Sequence, residues 1–207
     1  MIKISYAVTV CDELEEIARL LSFLITHKRE EDEIVVLWDS TKGGKRMETL
    51  LNGYVNAGNI KLTVDKFEGH FADWKNKLTS HCTGDYIFQI DADELPNKEF
   101  LDLLPSILEQ NPDVDVMLVP RINTVEGLTE KHTRMWGWRV ENGRVNFPDY
   151  QWRIYKNVSY IRWVNKVHEK LHGYKHFSAL PAEDLYALLH PKTIEKQEKQ
   201  NSFYDAL

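Results

Sequence analysis

Apolar positions in the first hundred residues follow two periods in turn. Ile2 to Val10, Glu33 to Trp38, Asn59 to Val64 and Asp85 to Ile90 are short runs rich in β-branched and aromatic residues, as buried strands require. Between them Leu14, Ile17, Ala18, Leu21, Leu24 and Ile25 recur at helical intervals, as do Met47, Leu50, Leu51, Tyr54 and Val55, and then Trp74, Leu78 and Cys82 within 71–82. Asp12 and Glu15 have the spacing of a capping box for the first helix. The strand-helix alternation predicts right-handed crossovers and an α/β fold: a Rossmann-like, mostly parallel sheet with helices on both faces.

The pattern changes after Pro96. Phe100 to Leu108 is helical in period, with Pro105 expected to break or restart it, and Val114 to Val119 reads as a further strand. From Arg121 onward the segments shorten and become aromatic. Of the six tryptophans, Trp136, Trp138, Trp152 and Trp163 fall here beside Tyr150, Tyr155 and Tyr160. This predicts a smaller, partly antiparallel C-terminal part that packs by large rings, one or two of which could stack on a sugar. Pro191 stands where a closing polar helix, running to Leu207, would begin. One domain over 1–207 is expected, with halves at 1–119 and 120–207.

Composition narrows the partners. The 26 basic against 32 acidic side chains give a formal charge of −6, which argues against a nucleic-acid binder. No apolar run reaches the roughly 18 residues of a membrane span, and the chain opens on a strand without a leader-like segment. A soluble, cytoplasmic protein is expected, compatible with peripheral membrane contact. Cys11 and Cys82, without metal-ligand spacing, read as core thiols in a reducing compartment.

The chemistry lies at strand ends. Asp85-Tyr86-Ile87-Phe88-Gln89-Ile90-Asp91-Ala92-Asp93-Glu94 runs a buried strand into three carboxylates. Asp91 and Asp93 would sit at its carboxyl end, where open α/β sheets bind ligands, and could place oxygens around a hard divalent cation carrying nucleotide phosphates. Alternatively they cap the helix after Pro96. Glu13 follows the first strand and Asp39 the second, so a parallel sheet would bring all four acids to one edge.

In this order the chain resembles the family 2 glycosyltransferases of the GT-A fold. The resemblance rests on Thr9-Val10-Cys11-Asp12-Glu13, Trp38-Asp39-Ser40-Thr41-Lys42-Gly43-Gly44, Phe71-Ala72-Asp73-Trp74-Lys75-Asn76-Lys77 and the Asp-x-Asp strand. It extends to Phe147-Pro148-Asp149-Tyr150-Gln151-Trp152-Arg153-Ile154-Tyr155 and Trp163-Val164-Asn165-Lys166-Val167-His168-Glu169, similar to bacterial members that modify cell-surface glycans or peptides. It implies a nucleotide-sugar half at 1–119 and an acceptor half at 120–207. Asp39 would contact the base, Val10 and Glu13 would cradle base and ribose, Lys75 would join the nucleotide site, and Asp91 would face ribose or metal. Asp93 would ligate Mn²⁺ or Mg²⁺ on the donor diphosphate. The chain departs from the family in carrying Asp12 where an Asn is usual, and Ser-Thr after Asp39 where another Asp often stands.

A further metal ligand is expected from His190, placed where GT-A enzymes often carry a metal-binding His, with His168 as the alternative. A mixed carboxylate and imidazole set suits Mn²⁺. Transfer also needs a base for the acceptor hydroxyl, for which Asp149 and Glu169 are the candidates. The implied reaction is metal-dependent transfer of a hexose, with inversion, from a UDP-sugar to a glycan, lipid-linked or peptide hydroxyl. The rival readings are a nucleotidyltransferase, which would want a basic Gly-rich first loop, and a non-catalytic nucleotide- or sugar-binding module. A two-carboxylate glycoside hydrolase is disfavoured because Asp91 and Asp93 are too close in sequence.

Overall fold

The structure, a computed structural model, describes residues 1–204. Four β-α units open the chain: β1 (Ile4–Val10), α1 (Leu14–His27), β2 (Glu33–Asp39), α2 (Gly44–Asn56), β3 (Lys61–Asp65), α3 (Phe71–Ser80), β4 (Tyr86–Asp91) and α4 (Lys98–Gln110). There follow β5 (Val116–Val119), β6 (Arg121–Glu126), α5 (Glu130–Trp136), β7 (Val140–Glu141), β8 (Arg144–Val145), β9 (Gln151–Lys156), β10 (Arg162–Val164), β11 (Lys170–His172), β12 (Phe177–Ala179), β13 (Leu188–Thr193) and α6 (Ile194–Tyr204).

The main sheet has the order β12-β5-β9-β4-β1-β2-β3. β1 to β4 are mutually parallel, as the alternation predicts, while β9 runs antiparallel between β4 and β5. The aromatic second half contributes β9 and β12 to this sheet, and its remaining short strands form a hairpin and a second sheet, partly antiparallel as expected. Strand alternation divides the core between two faces. Ile4, Tyr6, Val8 and Val10 of β1 meet Leu20, Leu21 and Leu24 of α1, Met47 of α2 and Phe100, Leu104 and Leu108 of α4. Ala7, Val35, Leu37 and Ile87 turn the other way, toward Trp74 and Leu78 of α3 and toward Trp163 and Leu171 on the β10-β11 hairpin. A second sheet, β13-β6-β8-β7, is built on a parallel β13-β6 pair.

Three local expectations are corrected. The capping box at Asp12 and Glu15 does not form: α1 starts at Leu14 with Glu13 at its N-cap and no side-chain cap bond. The Glu13 carboxylate instead folds back to accept from the Cys11 and Asp12 amides at 2.9 and 3.1 Å. Pro105 lies inside an uninterrupted α4, because Phe100, Leu101, Leu104 and Leu108 bury one apolar face and outweigh the hydrogen bond that proline omits. Pro191 sits in β13, not at a helix start, and is tolerated there because β13 is an edge strand. The closing helix begins at Ile194, and Asp205 to Leu207 lie outside the described residues.

Candidate active site

Parallel register brings the ends of β1, β2 and β4 to one edge, with Val10 beside Trp38 and Thr9 beside Asp91. Because β9 is antiparallel, its start lies at the same edge, with Gln151 opposite Val119, so Asp149 enters from the far side. Arg121 opens β6 immediately after β5, and β13 places His190 beside Asn123 and Lys192 beside Val125. Together they line a cleft of about 910 Å³ containing Val10, Glu13, Asp39, Lys75, Asp91 and Asp93 as well as Asp149, His168, Glu169 and His190. All ten residues singled out from the sequence share this one cleft.

The first wall is held by hydrogen bonds. Asp39, buried at the end of β2, accepts from the Thr41 and Phe67 amides at 3.0 and 3.1 Å, from the Thr41 hydroxyl at 2.9 Å and from the Cys11 thiol at 3.4 Å. Burial pushes its carboxyl up, but these donors outweigh it and hold it below its ordinary value. Gly43, at φ +84°, closes the loop: a Cβ there would stand 2.7 Å from the Cys11 carbonyl. Trp38 Nε1 donates to that same carbonyl at 3.1 Å, locking the first two loops together. Glu13 is pushed up by burial, with Asp93 and Asp12 adding repulsion.

The floor is a chain of charged groups. Arg153 of β9, almost fully buried, donates to Asp91 at 2.5 Å and to the buried Glu94 at 2.6 Å. Arg121 reaches Glu94 at 3.1 Å and clamps Asp149 Oδ2 at 2.9 and 2.8 Å. Asn123 donates to Asp149 Oδ2 at 2.7 Å and accepts from His190 Nδ1 at 2.6 Å. His190 Nε2 then faces Asp93 Oδ2 at 3.3 Å, and Lys196 of α6 stands 3.4 Å from the same oxygen. Asp91 and Asp93 are thus joined through Arg153, Glu94, Arg121, Asp149, Asn123 and His190. Burial alone would raise both carboxyls. Arg153, Lys75 and Arg121 pull Asp91 well below its ordinary value, and His190, Lys192 and Lys196 do the same for Asp93. Asp149 is also lowered, because Arg121 and Asn123 outweigh its burial.

On the opposite wall Lys75 donates to Glu169 at 2.5 Å, and its ammonium lies 4.5 Å from the centre of the Trp163 ring. This ion pair joins α3 to the β10-β11 hairpin. His168 lines the cleft next to Glu169 in a left-handed conformation at φ +52°.

Among the described residues no three His, Cys, Asp or Glu side chains are grouped to hold an ion. Of the two histidines weighed as partner to Asp93, His190 stands against its carboxylate, while His168 lines the cleft beside Glu169. A carboxylate with an imidazole is a donor set that Mn²⁺ or Mg²⁺ can take when phosphate oxygens and water fill the other positions. Sequence reasoning left out Arg121, Asn123, Lys192 and Lys196. The alternation Arg121-x-Asn123 and His190-x-Lys192 puts each pair on one strand face, a signal that the two short strands carry too faintly to single out.

The sequence profile of glycosyl transferase family 2 matches residues 5–175. No curated protein matches by sequence. Among solved structures, S. aureus TarS 1-349 superposes with a TM-score of 0.61 at 18% identity, over 91% of this chain and 60% of that one. TarS 1-349 in complex with UDP-GlcNAc gives 0.61 at 18% identity, over 93% and 59%. The complex with UDP gives 0.56 at 19% identity, over 89% and 62%. The chain therefore spans about three fifths of the length of these relatives, and at such identities the likeness is one of fold.

Proposed function

Because the chain belongs to glycosyl transferase family 2, we propose that it transfers a sugar from a uridine diphosphate donor to a hydroxyl of a glycan, lipid-linked or peptide acceptor. The observation that carries this reading is the cleft itself, in which acids from three parallel strand ends share one space with Asp149, Glu169 and Trp163. Complexes of TarS with UDP and UDP-GlcNAc support the donor class.

In this reading the uracil lies against Asp39 and Val10, with Glu13 keeping the first loop folded around base and ribose. The ring's N3 proton is donated to Asp39, in place of the long contact from the Cys11 thiol. The Arg153-Asp91 pair holds the ribose side rigid, since neither partner can leave without exposing a buried charge. Asp93 and His190 would hold Mn²⁺ or Mg²⁺, which as a Lewis acid neutralises the leaving diphosphate. Asn123 keeps the His190 Nδ1 proton engaged and so leaves Nε2 turned toward Asp93.

Asp149 takes the acceptor proton. It is ionised near neutrality, lies at a set distance from the donor end through Asn123 and His190, and among the described residues its Oδ1 accepts from Gln151 alone, at 3.0 Å. Glu169 positions Lys75. Attack by the acceptor oxygen opposite the leaving diphosphate inverts the anomeric carbon. Since Asp149 and Glu169 are both ion-paired, a non-catalytic binding module is the competing reading, and the presence or absence of sugar transfer separates the two.

Calorimetry with UDP, GDP and CDP in the presence of Mn²⁺ tests the donor assignment. UDP should bind tightest, and Asp39→Ala should abolish the preference. Equal affinity for the three nucleotides in the unaltered protein would remove the uridine assignment.

A further inference from the structure

Lys192 has a feature that the roles above leave unused. It follows His190 by two residues on β13, where burial alternates, so both side chains face the cleft. Its ammonium donates to the amide oxygen of Gln200 on α6 at 2.5 Å. Among the described residues it forms no salt bridge: the Asp93 oxygen beside it is engaged by His190 and Lys196, and Lys196 also pairs with Glu16 at 3.0 Å. Among the described residues, then, this half-buried ammonium is met at contact distance by a neutral amide and by no anion.

The position says which anion fits. Lys192 shares a strand face with His190, whose ring stands against Asp93, and Lys196 brings a second cation to within 3.4 Å of Asp93. The match to the family profile ends at residue 175, so β13 and α6 both lie beyond it. Resting on the donor-site reading, we propose that Lys192, oriented by Gln200 of α6, is the cation that receives the diphosphate of the nucleotide donor. The C-terminal strand and helix thereby supply positive charge to the leaving group, in addition to any metal held at Asp93.

The test is calorimetry on the full chain without added divalent metal, comparing uridine with UDP. Lys192→Gln should weaken UDP binding by about tenfold to a hundredfold, as expected for removing a charged hydrogen bond to phosphate. Uridine affinity should be unchanged in the same variant, which also reports that the base site is folded. Lys192→Arg should retain UDP affinity within a few fold. A Lys192→Gln protein that binds UDP as the unaltered chain does would overturn the proposal while leaving the donor reading intact. Equal losses for uridine and UDP would make Lys192 a structural residue and overturn it as well. If the unaltered chain bound neither compound, the donor reading and this inference would fall together.

Discussion

Asp149 shows how a single residue's neighbours define its chemistry. Its backbone is left-handed at φ +35°, and its Oδ2 takes three hydrogen bonds, two from Arg121 and one from Asn123. Those donors hold the carboxylate ionised but also weaken it as a base, so its usefulness rests on placement more than on basicity. Asp149→Asn should keep UDP affinity and lose about a hundredfold or more in transfer rate, the range that loss of a general base costs. Glu169→Gln should cost less in rate, because its carboxylate is committed to Lys75. Steady-state kinetics beside UDP calorimetry checks both, and an Asp149→Asn enzyme with unaltered turnover would move the base elsewhere.

At the scale of elements, the start of β2 and the middle of α4 invite stability tests. Glu33 at the start of β2 accepts from the Ser5 hydroxyl at 2.6 Å, Lys61 at 2.6 Å and the Thr83 amide at 2.6 Å, tying β1, β2, β3 and the entry to β4 together. Burial raises its carboxyl, but these partners outweigh it and lower it to about 2. A group whose folded pKa lies below its unfolded one stabilises above the unfolded value. That contribution is present above pH of about 4.3 and is lost as pH falls toward about 2. Urea titrations of the unaltered protein and Glu33→Gln across this range should converge at low pH and diverge above it; parallel curves would contradict the assignment. In α4, Pro105 leaves the Leu101 carbonyl without its helical donor. Pro105→Ala should stabilise the protein by about 1–3 kcal/mol, given the gap between these residues in helix interiors. A lower denaturation midpoint in Pro105→Ala would show that the proline ring packs to advantage.

For the molecule as a whole, ligand and fold are linked. A nucleotide that binds only the folded chain adds about 2.7 kcal/mol at a hundredfold excess over its Kd, which for a domain of this size raises Tm by about 5–10 °C. UDP with Mn²⁺ should produce such a shift, and Asp93→Asn should lose the Mn²⁺-dependent part while melting cooperatively. An undiminished Mn²⁺ effect in that variant would exclude Asp93 as a ligand. The four parallel strands, the helices between them and the convergence of Glu13, Asp39, Asp91 and Asp93 on one edge were legible in the sequence, because each rests on local periodicity and on acids placed directly after apolar runs. Among the described residues no helix is long and apolar enough to cross a membrane. What the sequence by itself determined was therefore the architecture and the edge at which chemistry would collect. Only the tertiary structure decided that β9 enters the sheet antiparallel, that Pro191 lies in a strand, and which charges pair. Lys75 meets Glu169 across 94 residues, and His190 meets Asn123 across 67. Such pairings depend on how distant segments close onto one another, and no local period of apolar and polar residues encodes that geometry.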